Sequence, residues 1–437
     1  MYFFAVAFGS SANVICRFVD IDVFPNQFFV LGSMIVGALL SSTFIPRSLM
    51  WDLLLVVSLS GMLYAEPQLA FASGCVFIGA VTALWPVAAD ILYAASPISF
   101  ALGCLGFLAG CFAQVWVVAY NFVPGGWLLR ERIDLVLFAF LLCIIATFPR
   151  SYLPAMKPSA RGIYLFLLVL AVGCVVIPIA QNRFERHEPP MERNRESESG
   201  TFTSMIWTTH FGYDNHGWNN FKAALSLIED AGTPDIIGLL ETDTARLFTG
   251  NRDMIEYLSE NLHYYSAYGP ETRKSTWGCA VLSRYPFVHV ENLILPSPHG
   301  ELACMVDAVV NINGTHVNFL VTHFGVWEDK EDRDRQTEAT AELVKEKDKD
   351  GTHLIFMGYI TAPPYRHYNY KKMVDSGLID SLPQGTALSR RWYSTDRWCQ
   401  YIFYKNVEMG DFARKSVGHI SDTEWQKAWW TLPASVH

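Results

Sequence analysis

The two halves of this chain are built for different solvents. Up to Ala180 long apolar runs follow one another with few charges; beyond Arg183 charges crowd in and polar residues interleave with apolar ones. A membrane-spanning helix needs roughly 20 mostly apolar residues. Residues 27–44, 69–94, 98–120 and 162–180 meet that requirement, and 49–63 and 133–148 are shorter candidates. Residues 1–16 are apolar but short, with no basic leading segment and no small-residue cleavage site, so they read as a truncated span rather than a signal peptide. Hydropathy thus predicts about six or seven spans. The expected organisation is a multi-pass transmembrane region over 1–181, a linker over 182–202 and a folded domain over 203–437.

Orientation follows from the loop 150–161, which carries Arg150, Lys157 and Arg161 and no acid. The positive-inside rule places it in the cytoplasm, and one further span puts everything after it in the lumen or outside. The sequon Asn313-Gly314-Thr315 is compatible with that side and makes Asn313 a glycosylation candidate. The linker run Glu188-Pro189-Pro190-Met191-Glu192-Arg193 cannot bury a core. Asp90 sits inside an apolar span, as a functional acid or as a helix-end residue that snorkels. Asn121-Phe122-Val123-Pro124-Gly125-Gly126 ends a span with a turn signal. Of nine cysteines, six fall in the apolar half; Cys279, Cys304 and Cys399 lack zinc spacing, and a disulfide among them has no pair fixed by sequence. A net charge of -9 argues against a nucleic-acid partner, which normally meets a basic face.

From Thr203 strand and helix patterns alternate. Strands are expected over 204–208, 235–240, 279–283, 305–311, 317–321, 354–357 and 401–404, and helices over 219–230, 253–262 and 333–347. Several strands follow each other without helices, and Asn313-Gly314 is a hairpin signal. The mix favours an α/β sandwich with antiparallel strands over a doubly wound sheet. Two residues with chemical potential stand at strand ends. Glu241 follows the apolar run 236–240 and could hold a divalent cation. His323 follows 319–322 and could serve as general base or acid, or bind a phosphoryl oxygen. Either alone reads as an ordinary strand-end residue; together, each in its own motif, they point to phosphodiester chemistry.

The run Pro234-Asp235-Ile236-Ile237-Gly238-Leu239-Leu240-Glu241 resembles the metal-acid motif of the endonuclease/exonuclease/phosphatase superfamily. Gly278 to Pro286 resembles its next signature, Thr322-His323 its histidine strand, and Asp332-Arg333 with Gln336 the helix after it. The fold implied is a four-layer α/β sandwich. The departures are specific. Tyr359 and Thr361 stand where the superfamily has an acid and an amide, Gln400 where it has a late acid, and Thr423, after Ser421-Asp422, where it has a terminal histidine. His210 stands near the first strand where an asparagine is usual. Ordinary two-carboxylate metal hydrolysis is therefore not expected.

Gly358-Tyr359-Ile360-Thr361, residues 396–402 and residues 119–126 are similar to the GPI-anchor ceramide-remodelling protein family of fungi and its animal relatives. That resemblance implies exchange of diacylglycerol for ceramide on the inositol phosphate of a GPI anchor. It implies His323, Glu241, His210 and Asp422 as catalytic candidates, with Asp422 orienting one of the histidines. Arg397, Tyr359 and Thr361 become substrate-binding candidates, although Arg397 could equally pair with Asp396, and Tyr359 and Thr361 could be packing replacements. No cofactor is fixed; a divalent cation such as Mg²⁺ on Glu241 is the candidate. The implied partners are membrane lipids, ceramide, GPI-anchored proteins and GPI-processing membrane proteins, in the endoplasmic reticulum or Golgi with the C-terminal domain lumenal. The competing readings are a phosphoinositide-type phospholipase and a non-catalytic GPI-lipid-binding scaffold. The run 365–370 and Trp425, Trp429 and Trp430 could contact headgroups; otherwise the first is a solvated loop and the tryptophans close the core.

Overall fold

A computed structural model of the chain describes residues 23–43, 49–113, 115–118, 123–130, 132–147, 172, 200–242, 254–269, 278–300, 302–348, 351–382 and 399–433. The chain divides into two compact units, one helical and one carrying the strands.

In the first unit α1 (Val23–Thr43), α2 (Leu49–Tyr64), α3 (Pro67–Thr82), α4 (Trp85–Tyr93), α5 (Pro97–Ala113), the single turn α6 (Val115–Val118) and α7 (Ile133–Thr147) cover the expected spans within the described residues. Only Gln68–Tyr93 is both long and apolar enough there to cross a membrane, at 26 residues and a mean hydropathy of 1.9. It runs through a turn at Ala83 and Leu84, beside Pro86 in the first turn of α4. Leu55, Leu59, Phe77, Ile78 and Leu141 form its buried seam. Gly37 of α1 meets Gly79 of α3 so closely that a Cβ at Gly37 would lie 2.1 Å from the Gly79 carbonyl oxygen, the close approach that small residues permit between membrane helices. Asp90 is exposed near the end of α4. The expected spans 1–16 and 162–180 lie outside the described residues, Val172 apart.

The second unit is a sandwich of two six-stranded sheets. The first contains β1 (Thr201–Thr208), β2 (Ile236–Thr242), β3 (Tyr265–Gly269), β4 (Gly278–Ser283), β11 (Glu408–Lys415) and β12 (Trp425–Thr431), in the order β11-β12-β1-β2-β4-β3. The second contains β5 (Phe287–Ile294), β6 (Cys304–Ile312), β7 (Thr315–His323), β8 (His353–Tyr359), β9 (Ile379–Asp380) and β10 (Gln400–Lys405), in the order β5-β6-β7-β8-β10-β9. β1 runs parallel to β2 and β7 parallel to β8, and the remaining pairs are antiparallel. Ile206, Ile236, Val281, Phe319, Val321 and Ile402 fill the space between the sheets. Helices α8 (Phe221–Asp230) and α9 (Met254–Leu262) bury Phe221, Leu227, Met254 and Leu258 against Trp207 and Leu239 of the first sheet. Helices α10 (Lys330–Asp348) and α11 (Tyr368–Asp375) bury Val344 and Met373 against Leu320 and Phe356 of the second. Helix, sheet, sheet, helix is the four-layer sandwich that the sequence motifs imply.

At the β6–β7 hairpin Asn313 and Gly314 take φ of 51° and 85°, the pair of positive values a two-residue type I′ turn requires. Asn313 is exposed there. Trp425 and Trp430 are buried, so they close the core. Tyr368 and Tyr370 begin α11 rather than lying in a loop, and Tyr370 packs against Tyr401 and Phe403. Cys279 of β4 and Cys304 of β6 are disulfide-bonded, joining the two sheets through the core, while Cys399 is a buried thiol.

Candidate active site

Parallel pairing brings the C-terminal ends of β1, β2, β7 and β8 to one edge of the sandwich, and there the backbone leaves ordinary strand geometry. Opposite β4 the register of β2 shifts between Leu239 and Thr242, so Leu240 and Glu241 together face Cys279. Such a bulge re-aims a side chain, and Glu241 takes φ of 49° within it. Positive φ also occurs at His210 (54°) and Phe211 (56°) after β1 and at Thr361 (47°) after β8. For a β-branched threonine this is an outlier in conformational space. Four non-glycine residues with positive φ thus gather at the ends of three strands here; the others among the described residues, Thr233, His263, Asn313, Tyr365 and Asn406, are scattered.

The re-aimed Glu241 reaches across the sandwich to the second sheet. Its Oε1 lies 3.2 Å from Nε2 of His323, the last residue of β7. The two side chains retain 19% and 7% exposure, so the hydrogen-bonded pair is largely shielded and the carboxylate is the more accessible. β7 and β8 are in register at His323 and Tyr359, and the two rings stack with centroids 4.6 Å apart. A cavity of about 190 Å³ opens beside the pair. Glu241, His323, Tyr359 and Thr361 line it, with Val326, Trp327 and Glu328 from the loop after β7, Ala362 and Pro363 from the loop after β8, and Cys399.

The other expected residues divide. His210 is tied to the site through the backbone, since the Thr209 hydroxyl donates to the Glu241 carbonyl at 2.8 Å, but its side chain does not line the cavity. Asp422 is exposed, and its hydrogen bonds are to the flanking hydroxyls of Thr423 (3.0 Å) and Ser421 (3.4 Å). The structure thus brings it to neither histidine, because its carboxylate is engaged by its own turn. Arg397 lies outside the described residues. Gln400 is a buried structural link between the sheets: its Oε1 accepts from the Thr208 hydroxyl at 3.1 Å and its Nε2 donates to the Glu424 carbonyl.

Asp332 and Gln336 tie down the loops after β5 and β7. Asp332 accepts from the backbone N–H groups of His299 and Gly300, and Gln336 accepts from that of Gly325 at 2.8 Å. Sequence reasoning gave no role to Trp327 and no specific one to Arg333. The buried Arg333 guanidinium sits 4.7 Å from the Trp327 ring and donates to the Thr361 carbonyl at 3.3 Å, so one residue braces two sides of the cavity. The signal for Trp327 was present: an aromatic residue four positions after a strand-end histidine.

The described residues alone do not make up a site for a protein-held divalent cation. Oxygen ligands from several groups are needed. Among the described residues no three His, Cys, Asp or Glu side chains converge. Glu241 is engaged by His323, Tyr359 is stacked on that imidazole, and Gln400 is held by hydrogen bonds between the sheets. Glu241 and His323 form a hydrogen-bonded carboxylate–imidazole unit able to take and return a proton, with the Glu328 carboxylate elsewhere on the cavity wall.

A membrane protein carrying a nuclease-like domain with a reduced acid–base site is the class that these features define. The family model described as "PGAP2IP, C-terminal nuclease-like domain" matches residues 199–437, and "PGAP2IP, second transmembrane domain" matches 19–155. Protein cwh43 of Schizosaccharomyces pombe is 33% identical over 329 residues, covering 72% of this chain and 32% of the relative. The chain belongs to the PGAP2IP/Cwh43 family, which is linked to GPI-anchor remodelling, and it spans about a third of the length of that relative. Among solved structures, an endonuclease/exonuclease/phosphatase from Beutenbergia cavernae is 19% identical, with a TM-score of 0.44 over 53% of this chain and 72% of its own. The human Nocturnin catalytic domain is 18% identical, with a TM-score of 0.40 over 54% of this chain and 96% of its own.

Proposed function

We propose that this chain acts in GPI-anchor lipid remodelling, exchanging diacylglycerol for ceramide on the inositol phosphate at the Glu241–His323 pair. The observation that carries this reading is the pair itself, 3.2 Å apart beside a cavity whose further acid position is filled by Tyr359. The ceramide primary hydroxyl attacks phosphorus, and the bond from phosphorus to the glycerol oxygen breaks. The pair accepts the proton of the incoming hydroxyl and returns it to the departing glycerol oxygen. One diester becomes another, with no change in charge. Hydrolysis would cut the anchor instead, and the loss of the superfamily's water-activating acid suits an enzyme that must exclude water. Acid–base groups of this kind contribute on the order of 10²–10⁴-fold. In this reading the domain works on the lumenal side of the endoplasmic reticulum or Golgi membrane, with ceramide, GPI-anchored proteins and GPI-processing membrane proteins as partners.

The test is mass spectrometry of anchor lipids in cells lacking the protein and re-supplied with wild type, Glu241→Gln or His323→Ala. Ceramide anchors restored by wild type alone support exchange at this pair. Restoration by both variants assigns the domain to headgroup binding without catalysis. Released inositol phosphate or cyclic phosphate without ceramide anchors assigns a phospholipase.

A further inference from the structure

We infer that the cavity beside the Glu241–His323 pair is a headgroup pocket for a phosphorylated ring polyol, with Trp327 as its platform and Thr361 as its hydroxyl contact to the phosphoryl group. The inference rests on the exchange reading and adds what the cavity recognises.

Thr361 lines the cavity at 8% exposure, and its Oγ1 is buried with no hydrogen-bond partner among the described residues. A buried hydroxyl in that state calls for an explanation, and a missing ligand is one of the few available. Arg333 holds the Thr361 carbonyl and the backbone sits at φ of 47°, which fixes the direction of the Cα–Cβ bond toward the cavity wall while leaving the hydroxyl to rotate. Its hydroxyl is available to a group that enters the cavity.

Trp327 supplies the second contact. The Arg333 guanidinium packs against the indole at 4.7 Å, while the ring itself lines the cavity. An aromatic ring clamped in this way presents a flat apolar surface at low entropic cost. Cyclic polyols carry C–H groups that lie well against such a surface and hydroxyls that hydrogen-bond at its edge. Glu328, next to Trp327 on the cavity wall, is an acceptor for those hydroxyls. The carboxylate of Glu328 repels a phosphate, so the phosphoryl group belongs at the Thr361 and His323 side. The ring then lies over Trp327, and the scissile bond beside Glu241.

Size agrees. The cavity of about 190 Å³ is of the size of a small polar headgroup.

The test is isothermal titration of the full chain in detergent with myo-inositol 1-phosphate, glycerophosphoinositol, glycerol 3-phosphate, myo-inositol and inorganic phosphate. Both inositol phosphates should bind at least about tenfold more tightly than the other three, as expected when ring and phosphate contacts combine. Glycerophosphoinositol binding as well as the monoester assigns the pocket to a lipid-derived diester; the monoester alone binding assigns it to a free phosphate. Trp327→Ala should lose about tenfold for the inositol phosphates and leave inorganic phosphate unchanged, and Trp327→Phe should retain most of the affinity. Thr361→Val should lower inositol phosphate affinity several-fold toward that of myo-inositol and leave myo-inositol itself unchanged, and Thr361→Ser should restore the difference. Equal binding of glycerol 3-phosphate and inositol phosphate, or an unaffected Trp327→Ala, overturns the pocket. Binding without any lipid exchange overturns the proposed function and leaves the pocket standing; exchange with headgroup affinity indifferent to Trp327 does the reverse.

Discussion

The Tyr359 ring lies flat on the His323 imidazole, with centroids 4.6 Å apart and planes 7° from parallel. The contact follows from the parallel pairing of β7 and β8, which sets the two residues side by side at the strand ends. The imidazole is thus held at its face by Tyr359 and at Nε2 by Glu241. Tyr359 acts here through the ring it stacks on, as a positioning residue. Tyr359→Phe should preserve exchange. Tyr359→Ala frees the imidazole and should lower the initial rate on the order of 10–100-fold, the usual effect of a misplaced catalytic group. Tyr359→Asp should not create a hydrolase, since Gln400 and Thr423 remain. Product analysis by mass spectrometry checks all three.

Why was so much of this site visible in sequence, and where did visibility stop? Glu241 and His323 could be read because each closes a strongly apolar strand, and both strands are central. The central strands β2, β6, β7 and β8 were expected for the same reason. β5 and β11 were not, because they are edge strands whose residues are mostly exposed and whose alternation carries little apolar signal. α11 went unread because its tyrosines resemble a polar-aromatic loop until packing buries Tyr370. Asp422 shows the opposite limit: a motif fixed its place in the chain, but not that Thr423 and Ser421 would hold its carboxylate. Trp327 is a cavity wall only because Arg333, six residues later, folds back onto it.

Gln400 is a buried amide whose surroundings show that an acid would be costly here. Both ends of the amide are used, Oε1 by the Thr208 hydroxyl and Nε2 by the Glu424 carbonyl, at 2% exposure. Gln400→Glu turns an acceptor toward that carbonyl and buries a charge. It should cost roughly 1–3 kcal/mol, with no gain of hydrolytic activity. The apparent melting temperature of the detergent-solubilised chain, followed by fluorescence, should fall; a stable variant that hydrolyses substrate would reverse this view of the site.

The Cys279–Cys304 disulfide couples the strand that carries the bulge partner of Glu241 to the sheet that carries His323. Closing a loop of sequence separation 25 restricts the unfolded chain by roughly 3–4 kcal/mol in the chain-entropy treatment. Cys279→Ser with Cys304→Ser should lower the melting temperature and loosen the Glu241–His323 alignment, while Cys399→Ser leaves stability nearly unchanged. Peptide mapping without reduction should recover the 279–304 cross-link. Its absence from protein purified without reductant, with both thiols free to alkylation, would remove this support for an oxidising lumenal environment.

Asp380 of β9 is half-buried beside Tyr370. The Tyr370 hydroxyl donates to its Oδ2 at 2.8 Å, and Tyr401, whose ring packs at a tilt against that of Tyr370, donates to the carbonyl of the cavity residue Ala362 at 2.6 Å. Burial raises the Asp380 carboxyl to about 6, against the hydrogen bonds from Leu382 and Tyr370 that favour its ionised form. An unfolded aspartate titrates near 3.9, so between these values the folded chain holds a proton that the unfolded chain has released. Stability from this group is therefore fully present below about pH 4 and is lost as pH rises through about 6, by on the order of 2–3 kcal/mol. Asp380→Asn keeps an acceptor for the Leu382 N–H and cannot ionise. Its melting temperature should stay level across that interval where wild type declines, so the two curves diverge toward neutral pH. Parallel curves from pH 4 to 7 would show that Asp380 is ionised throughout and that the tyrosine cluster beneath Ala362 accommodates its charge.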